Sequence, residues 1–452
     1  MLNKKIRPIE RIYSIGLYLC HTQAKSTTPS IEHIALYITE IIMQEFTGLV
    51  YLLIDIANNY GLDKKSWRER IQWTREHMDE LESHLKEAEE PALYYASVKA
   101  LRQAQNKEQV HYPISLDATA SGIQILSCLL HDRKAASKCN VINTGNREDI
   151  YTNIYNIMCK KVGDKAKIER EMVKSAIMTS CYGSQAVPRE IFGEGELYSK
   201  FLETMEEELP YVWEANKVFL EVWNDKVDSY HWILPDNFHA NVKVTGKVKE
   251  IVNWLNEPIE ITKEVQRPQK EGRSIGANLV HSIDGYIVRE IARRTMYEPN
   301  KLSKVWSIVL HYYNRRDKAE LLFDESNEDT QMLKTIWDLY KQTGMLSARI
   351  IDYIYPHSIY YILNNNGYSA ITNLLRTFAA EPFEVIFIHD CFRCLPNHGN
   401  EIRRLYIQLL YEISKSNLLE YCLRQITNNP NLTLNKLDDI SNEILKSEYA
   451  LS

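Results

Sequence analysis

Four side chains able to hold an anionic, aromatic ligand recur at every fourth position of one short segment. They are Arg170, Lys174, Met178 and Tyr182, and Gly183 ends the run. A helix has 3.6 residues per turn, so each step of four places a side chain about 40° round from the one before. The pattern predicts a helix at 168–183 that binds a triphosphate with its cations and a base with its aromatic ring. An ordinary amphipathic surface helix would show the same stripe.

Two aspartates stand where predicted strands break into turns. Asp117 follows the alternating segment His111–Leu116, and Asp390 follows the apolar run Phe383–Ile388, which predicts a buried strand. Carboxylates on neighbouring strands can bridge two Mg²⁺ ions about 4 Å apart, which activate a hydroxyl and stabilise a leaving pyrophosphate. Each aspartate alone is equally typical of a turn or a helix N-cap. Because the cationic stripe lies between them in the sequence, the combination favours nucleotidyl transfer.

Composition is that of a folded protein with several domain-sized units. The chain has 452 residues, 44% of them hydrophobic, and a net charge of −6. This charge argues against a nucleic-acid binder that works through basic tails, but an enzyme with a locally positive channel remains compatible with it. No run of 18 apolar residues occurs, so no membrane partner is expected.

Hydrophobic periodicity predicts a helix-rich α+β fold. Helices are predicted at 30–60, 64–90, 121–130, 148–161, 168–182, 200–227, 278–296 and 399–416, with mixed helix at 300–375. Between 240 and 265 the pattern changes to two short strands separated by a polar, partly helical insert, which predicts a protruding hairpin.

Several motifs, taken in order, resemble those of the single-subunit RNA polymerases of bacteriophages and mitochondria. The catalytic motifs of that family are similar to Asp117-Ala-Thr-Ala-Ser-Gly122-Ile-Gln124, to Arg170–Gly183 and to Ile388-His389-Asp390. Further similar segments are Gly61–Lys64, Asp149–Tyr151, Asn278–Gly285 and the C-terminal Glu443–Ser452, which resembles the family's terminal foot. The resemblance runs from about residue 50 to the last residue.

The resemblance implies a right-hand polymerase fold, in which a palm with a small antiparallel sheet carries the two aspartates. It divides the chain into an N-terminal segment for partner docking (1–50), palm with an insertion and the first motif (51–133), helical fingers (134–281), and palm with the last motif and the foot (282–452). The fingers would contain the nucleotide-binding helix and a specificity hairpin at 240–270. Residues 298–375 would be an insertion, since the family's version of this stretch is shorter.

The resemblance also implies the roles of individual residues. Asp117 and Asp390 would hold two Mg²⁺ ions, with the carbonyl of Ala118 as a further ligand where the family usually has glycine. Arg170 would bind the triphosphate as a planar fork, and Lys174 would act on it as a catalytic point charge.

Other residues would surround the nucleotide. Tyr182 would close its pocket, act in catalysis and, with Gly183, sense the ribose. The remaining substrate-binding residues would be Met178, Tyr151, His281, Lys64, His389 and Gly122.

Two residues favour ribonucleotides over deoxyribonucleotides. Related DNA polymerases carry a bulky glutamate five residues after the first aspartate, whereas this chain has Gly122, which leaves room for a 2′-hydroxyl. They also tend to carry phenylalanine where this chain has Tyr182. The sequence therefore predicts a DNA-directed RNA polymerase that uses a DNA template, NTPs and an RNA product. A DNA polymerase of related fold and a catalytically silent nucleic-acid-binding subunit are the alternatives.

Two family parts have no counterpart in this sequence, namely the N-terminal domain and most of the thumb. We therefore expect a second polypeptide to supply them, as in the heterodimeric enzymes of certain phages, and a single-stranded-DNA-binding or activator protein to assist. This interpretation places the protein in the cytoplasm of an infected bacterial host.

Overall fold

The computed structural model describes residues 41–163, 168–181, 186–255, 257–270, 274–434, 436 and 438–452. The first half of the chain holds helices α1 Gly48–Ala57, α2 Trp67–Glu76, α3 Pro91–Gln105, α4 Ser121–Leu130, α5 Arg133–Lys138, α6 Ile150–Val162, α7 Arg170–Ser180, α8 Ala186–Phe192, α9 Glu196–Glu208 and α10 Pro210–Glu221. The second holds α11 Ser274–Thr295, α12 Pro299–Tyr313, α13 Arg316–Leu321, α14 Glu328–Thr343, α15 Ile359–Asn364, α16 Tyr368–Arg376, α17 Gly399–Lys415, α18 Leu418–Thr427 and α19 Ser441–Ile444. The fold is helix-rich α+β, as predicted.

Seven strands form three small antiparallel sheets in the described part of the chain. The strands are β1 Ile114–Asp117, β2 Ser229–Ile233, β3 His239–Lys243, β4 Thr245–Trp254, β5 Glu257–Gln266, β6 Ile386–Ile388 and β7 Cys391–Cys394. β1, β7 and β6 form one sheet in that order, and β2–β3 and β4–β5 are separate hairpins.

Four sequence-based predictions differ from the structure. The predicted helix 64–90 is broken after Glu76, and residues Leu81–Lys86 form a 3₁₀ helix instead. The predicted helix 200–227 is divided into α9 and α10 at Pro210, which cannot donate the backbone hydrogen bond that a continuous helix needs.

The predicted helical insert between the strands of the 240–265 region is wrong. β4 and β5 pair along their whole length, from Thr245 opposite Gln266 to Trp254 opposite Glu257, so the region is one long hairpin. The strand before Asp390 is also not buried as predicted, since Ile386 and Ile388 are exposed.

β1 is anchored by a buried carboxylate of α1. Asp55 of α1 accepts hydrogen bonds from the backbone N–H of Ser115 at 2.8 Å and from the hydroxyl of Tyr112 at 2.7 Å. Asn59 adds a third at 3.0 Å. Burial raises the pKa of Asp55 to about 6 in spite of these hydrogen bonds. The register of the strand that carries Asp117 therefore depends on α1.

Two hydrophobic cores are present in the described part of the chain. The larger surrounds the β1–β7–β6 sheet and the helices α4, α11 and α17, whereas residues 305–378 bury a second cluster among α12 to α16. All of this second cluster except Phe378 falls within the predicted insertion 298–375. None of the helices in the described part of the chain combines the length and apolar character that crossing a bilayer requires.

A buried ionic cluster connects the two cores. Arg294 of α11 is fully buried and bonds Glu412 of α17 at 3.0 Å and Glu290 at 3.2 Å. Glu290 in turn accepts a 2.9 Å hydrogen bond from the N–H of Ala348 and another from the hydroxyl of Ser347, which lie in and beside the 3₁₀ helix Ala348–Tyr353. The cluster therefore holds the second helical core against the helices of the first.

We predict that Arg294→Met lowers the free energy of unfolding by about 3–5 kcal/mol, because it removes the fully buried cation that joins Glu290 to Glu412. Urea denaturation followed by circular dichroism measures this change. Arg102→Met is the control, since Arg102 pairs with Glu82 at the surface and should lose less than about 1 kcal/mol. Equal losses in both variants would contradict the proposed importance of the buried cluster.

Candidate active site

Asp117 and Asp390 lie side by side at one end of the β1–β7 pair. In the antiparallel register, Asp117 is opposite Cys391, the residue that follows Asp390. The backbone N–H of Ala118 donates a 3.2 Å hydrogen bond to the carbonyl oxygen of Asp390. The structure therefore brings together two carboxylates that are 273 positions apart in the sequence, and it adds Ala118, the third predicted metal ligand.

Asp390 owes its position to a tight turn. Residues 389 and 390 connect β6 to β7, and the strands pair up to Ile388 opposite Cys391. His389 has a φ of +55°, in the left-handed region that non-glycine residues seldom adopt. The backbone of His389 thus makes the reversal that presents Asp390 next to Asp117.

The electrostatics of these carboxylates show mutual repulsion. Asp117 is partly accessible to solvent, yet its pKa is raised to about 6 by the surrounding protein atoms, which limit its hydration, and by the charge of Asp390. The positive charge of Arg147 lowers the pKa of Asp117, but by less than burial and Asp390 raise it. The carboxylates thus carry more negative charge than the neighbouring protein cations neutralise.

A third carboxylate belongs to the same group. Burial raises the pKa of Asp284, on α11, to about 6, and the charge of Asp390 adds to the rise while His389 opposes it. His281 lies one helical turn earlier on α11 and is exposed. Residues three apart share one helix face, so His281 lies on the side of α11 that bears Asp284.

This donor set fits divalent cations. Carboxylate and carbonyl oxygens are the ligands that Mg²⁺ prefers, and unneutralised carboxylates are stabilised by a cation more than by their present surroundings. Asp117, Asp390 and the carbonyl of Ala118 are placed to hold such ions. Asp284 is near enough to Asp390 for the charges of the two carboxylates to interact.

The C-terminal residues form part of the wall beside Asp117. The N–H of Ser452 donates to the carbonyl of Asp117 at 2.9 Å, and Ala118 pairs with Leu451 in an antiparallel bridge. Gln124 of α4 fixes this segment, because its amide donates to the carbonyl of Ala450 at 2.9 Å. The segment that resembles a polymerase foot therefore contacts the first catalytic motif directly.

Gln124 is also tied to the helix that follows Asp390. Its side-chain oxygen accepts a 2.7 Å hydrogen bond from the hydroxyl of Tyr406 on α17, and both side chains are fully buried. Gly122, two residues earlier, is buried in the first turn of α4.

The predicted cationic stripe forms one face of α7. Arg170 and Lys174 are partly exposed and Met178 is 44% exposed, whereas the neighbouring Val173 and Ile177 are buried. Tyr182 and Gly183, the last two residues of the stripe, lie outside the described residues.

Arg170 is held by α6. Its guanidinium donates to the carboxylate of Asp149 at 2.7 Å and to the hydroxyl of Thr152 at 2.8 Å. Burial raises the pKa of Asp149, but the hydrogen bonds from Thr152 and Arg170 outweigh it and hold that pKa below its usual value. Lys174 is 3.8 Å from Glu171, beyond hydrogen-bond distance. Tyr151 lies in the first turn of α6, next to this contact.

A basic cleft adjoins the carboxylates, and sequence analysis identified only one of its cations. The cleft has a volume of about 540 Å³ and is lined by Lys64, Lys65, Arg68 and Arg147, together with Tyr449 of the C-terminal segment. The Nε of Arg147 is buried and has no hydrogen-bond partner in the described part of the chain. The charges of Asp117 and Asp63 both act on Arg147, so the cleft opens close to Asp117.

Sequence reasoning missed Arg147 and the role of Asp284. Arg147 stands in a loop without a recognisable motif, and only the fold brings it to the cleft. Asp284 offered a signal, because it follows His281 by three residues within the Asn278–Gly285 segment.

We predict that, with divalent ions chelated, Asp117→Asn raises Tm by about 1–2 °C at pH 8 but not at pH 4. Its pKa in the folded protein is raised from 3.8 to about 6. The stability provided by the protonated form is therefore complete below about pH 4 and is lost as the pH rises through about 6. Calorimetry at both pH values measures this, with Asp225→Asn in the exposed loop before β2 as the control. A variant that is destabilised at pH 8 would rule out repulsion at this site.

Comparison with known proteins places this geometry in a family. The DNA-dependent RNA polymerase family matches residues 44–311. A probable DNA-directed RNA polymerase of Neurospora crassa is 30% identical over 177 residues, which are 34% of this chain and 19% of that protein. A probable DNA-directed RNA polymerase of Gelasinospora is 23% identical over 451 residues, or 92% of this chain and 48% of the relative. The DNA-directed RNA polymerase of Pseudomonas phage phiKMV is 23% identical over 302 residues, 52% of this chain and 37% of that enzyme.

These relatives correct one prediction. The chain is similar to fungal proteins, and further relatives from fungi and a plant are named as mitochondrial enzymes, so the predicted location in the cytoplasm of an infected bacterium is wrong. This chain spans less than half the length of each of the three relatives described above. Since the family match covers more than half of the chain, the chain belongs to the DNA-dependent RNA polymerase family.

Proposed function

We propose that this chain carries the catalytic centre of a DNA-directed RNA polymerase, which transfers ribonucleotides to an RNA 3′ end on a DNA template. The observation that carries the proposal is the position of Asp117, at the end of β1, next to Asp390, in the turn that leads into β7, with Asp284 close to Asp390. Their surplus negative charge suits two Mg²⁺ ions. When bound, these ions would lower the pKa of the attacking hydroxyl and offset the charge of the leaving pyrophosphate.

The chain's own residues would position the reactants. Asp117 and Asp390 would orient the cation site because the β1–β7 ladder fixes the backbone beside them, and His389 forms the turn that presents Asp390. Lys174 offers an ammonium group to the triphosphate, and Arg170 offers the edge of a guanidinium already aligned by Asp149. Tyr182, Gly183 and Met178 would contact the base and ribose beyond them.

The basic cleft supports a path for a nucleic-acid backbone. Four cations line it together with Glu69, and guanidinium and ammonium groups are suited to phosphate oxygens. Such a concentration of positive charge within a chain of net charge −6 is the local pattern that a template-bound enzyme needs. We assign Lys64 to this path rather than to the nucleotide itself, with Tyr151 and His281 lining the nucleotide side.

Gly122 is proposed to allow the enzyme to accept ribonucleotides. No side chain extends from this position of α4, five residues after Asp117, so a 2′-hydroxyl would meet no bulky group there.

The β4–β5 hairpin, with Trp254 and Leu255 exposed at its tip, is proposed to contact template DNA. A second polypeptide and an activator or single-stranded-DNA-binding protein stay predictions, to be tested by co-purification.

We predict that Asp390→Asn lowers NTP incorporation on a DNA template–RNA primer scaffold by at least about 10²-fold, because it removes a charge from the cation site. Gel-resolved primer extension measures this, with rNTPs and dNTPs supplied in separate reactions. Thermal unfolding should remain cooperative.

Asp352→Asn is the matched control, since Asp352 pairs with Lys301 at the surface of the second core, and it should extend primers as the wild type does. Activity that survives Asp390→Asn would refute the metal assignment. A wild-type chain that prefers dNTPs would favour the DNA polymerase alternative, and one that extends no primer even with co-purified proteins would refute the proposed function.

We predict that Arg147→Gln weakens binding of the same scaffold about 5–10-fold at 0.1 M salt and lowers the slope of log K against log salt by about 1, the loss of one phosphate contact. Fluorescence anisotropy at four salt concentrations gives both quantities. Arg315→Gln is the control, because Arg315 is exposed at the start of α13, and it should change neither quantity. An unaltered salt slope for Arg147→Gln would remove the cleft from the nucleic-acid path.

A further inference from the structure

Two histidines and a glutamate converge where α2 ends, in residues that the proposed function does not use. The candidate ligand atoms of His77, Glu80 and His84 all lie within 4.8 Å of one another. His77 is the C-cap of α2, the N–H of Glu80 donates to the carbonyl of His77 at 2.9 Å, and His84 lies in the following 3₁₀ helix. The turn at 77–80 and the 3₁₀ helix that follows it therefore bring the three side chains together.

The hydrogen bond of His77 fixes which ring nitrogen is available. Its Nδ1 is 2.8 Å from the backbone carbonyl oxygen of Trp73. A carbonyl oxygen only accepts, so Nδ1 carries the hydrogen and Nε2 presents a lone pair. The ring is held in place by stacking on Trp73 at a centroid distance of 4.7 Å, and Trp73 stacks on Tyr60 at 4.2 Å.

His84 is oriented in the same way by a carboxylate. Its Nδ1 is 3.2 Å from Glu87, which also accepts a 3.3 Å hydrogen bond from the hydroxyl of Tyr60. Its Nε2 is buried, has no hydrogen-bond partner among the described residues, and is 3.8 Å from a carboxylate oxygen of Glu80. A buried nitrogen that lacks a partner is costly to fold, and a carboxylate–histidine pair is the usual support of a metal-bound imidazole.

We propose that His77, Glu80 and His84 bind one Zn²⁺ ion, through the Nε2 atoms of both histidines and a carboxylate oxygen. Two imidazoles and a carboxylate form a common three-ligand zinc set, with a fourth position open to water. Bonds of about 2.0–2.1 Å in a tetrahedron place donors about 3.3 Å apart. The side chain of Glu80 is 63% exposed and free to move the remaining distance.

The ligand chemistry separates this site from the one at Asp117 and Asp390. Imidazole nitrogen suits zinc and its neighbours in the first transition series, whereas Mg²⁺ prefers an octahedron of oxygens. The zinc ion would fasten the turn at 77–80 to the 3₁₀ helix, where the polypeptide leaves α2. The inference stands on these contacts alone and does not depend on the proposed polymerase activity.

Isothermal titration of the metal-free full chain with Zn²⁺ tests the proposal, together with the visible absorption of the chain loaded with Co²⁺. We expect one high-affinity Zn²⁺ per chain and a Co²⁺ band of the intensity of a four-coordinate ion. His84→Ala should weaken Zn²⁺ binding at least about 100-fold, and Glu87→Ala about 10-fold through the lost orientation of His84. His111→Ala, at an exposed histidine distant in sequence, should bind as the wild type does.

Zn²⁺ binding that persists in His77→Ala/His84→Ala would overturn the assignment, as would a Co²⁺ spectrum of a six-coordinate aqueous ion. If a histidine variant fails to fold by circular dichroism, Glu80→Gln replaces it. Glu80 is exposed, so this variant should fold normally and still lose Zn²⁺ affinity. An unchanged affinity in a folded Glu80→Gln chain would equally overturn the proposal.

Discussion

The structure depends on holding like charges together. Asp117 and Asp390 repel each other, and the pKa of Asp117 rises to about 6, yet the β1–β7 ladder keeps them adjacent because backbone hydrogen bonds set the register. A two-residue turn at His389, with its left-handed backbone, places Asp390 at the start of β7. The energy of this arrangement must come from the surrounding core, since the site itself opposes folding when no cation is bound.

Two polar side chains fix the segments that surround this strand pair. Asp55 fixes β1 from α1, and Gln124 links α4 to both α17 and the C-terminal segment. These contacts are buried and join segments more than 50 residues apart in the sequence. Such a network specifies one arrangement of the backbone, because any other would leave buried polar groups without partners. The two carboxylates are therefore held in position by the hydrogen bonds of Asp55 and Gln124 rather than by their own interactions.

Local patterns predicted the parts of the site that are local. Asp117 and Asp390 stand at strand ends that alternation and apolar runs reveal, and the α7 stripe follows from helical periodicity. Arg147 was not predictable, because its cleft is assembled from segments near Lys64 and Tyr449. Pro210 did carry a local signal for a helix break, and helical periodicity on both sides of it obscured that signal. The turn of His77 to His84 was likewise hidden within an apparent continuous helix.

The two cations of α7 are not equivalent in this structure. Arg170 is already bound by Asp149 and Thr152, so a triphosphate would either share the free edge of its guanidinium or displace Asp149. Lys174 makes no comparably close contact, its distance to Glu171 being 3.8 Å. An ammonium group on a flexible stem can follow a moving phosphate, whereas a clamped guanidinium cannot. In the proposed function, Arg170 would therefore act as the fixed reference for the bound triphosphate, and Lys174 as the group able to track the charge that develops during transfer.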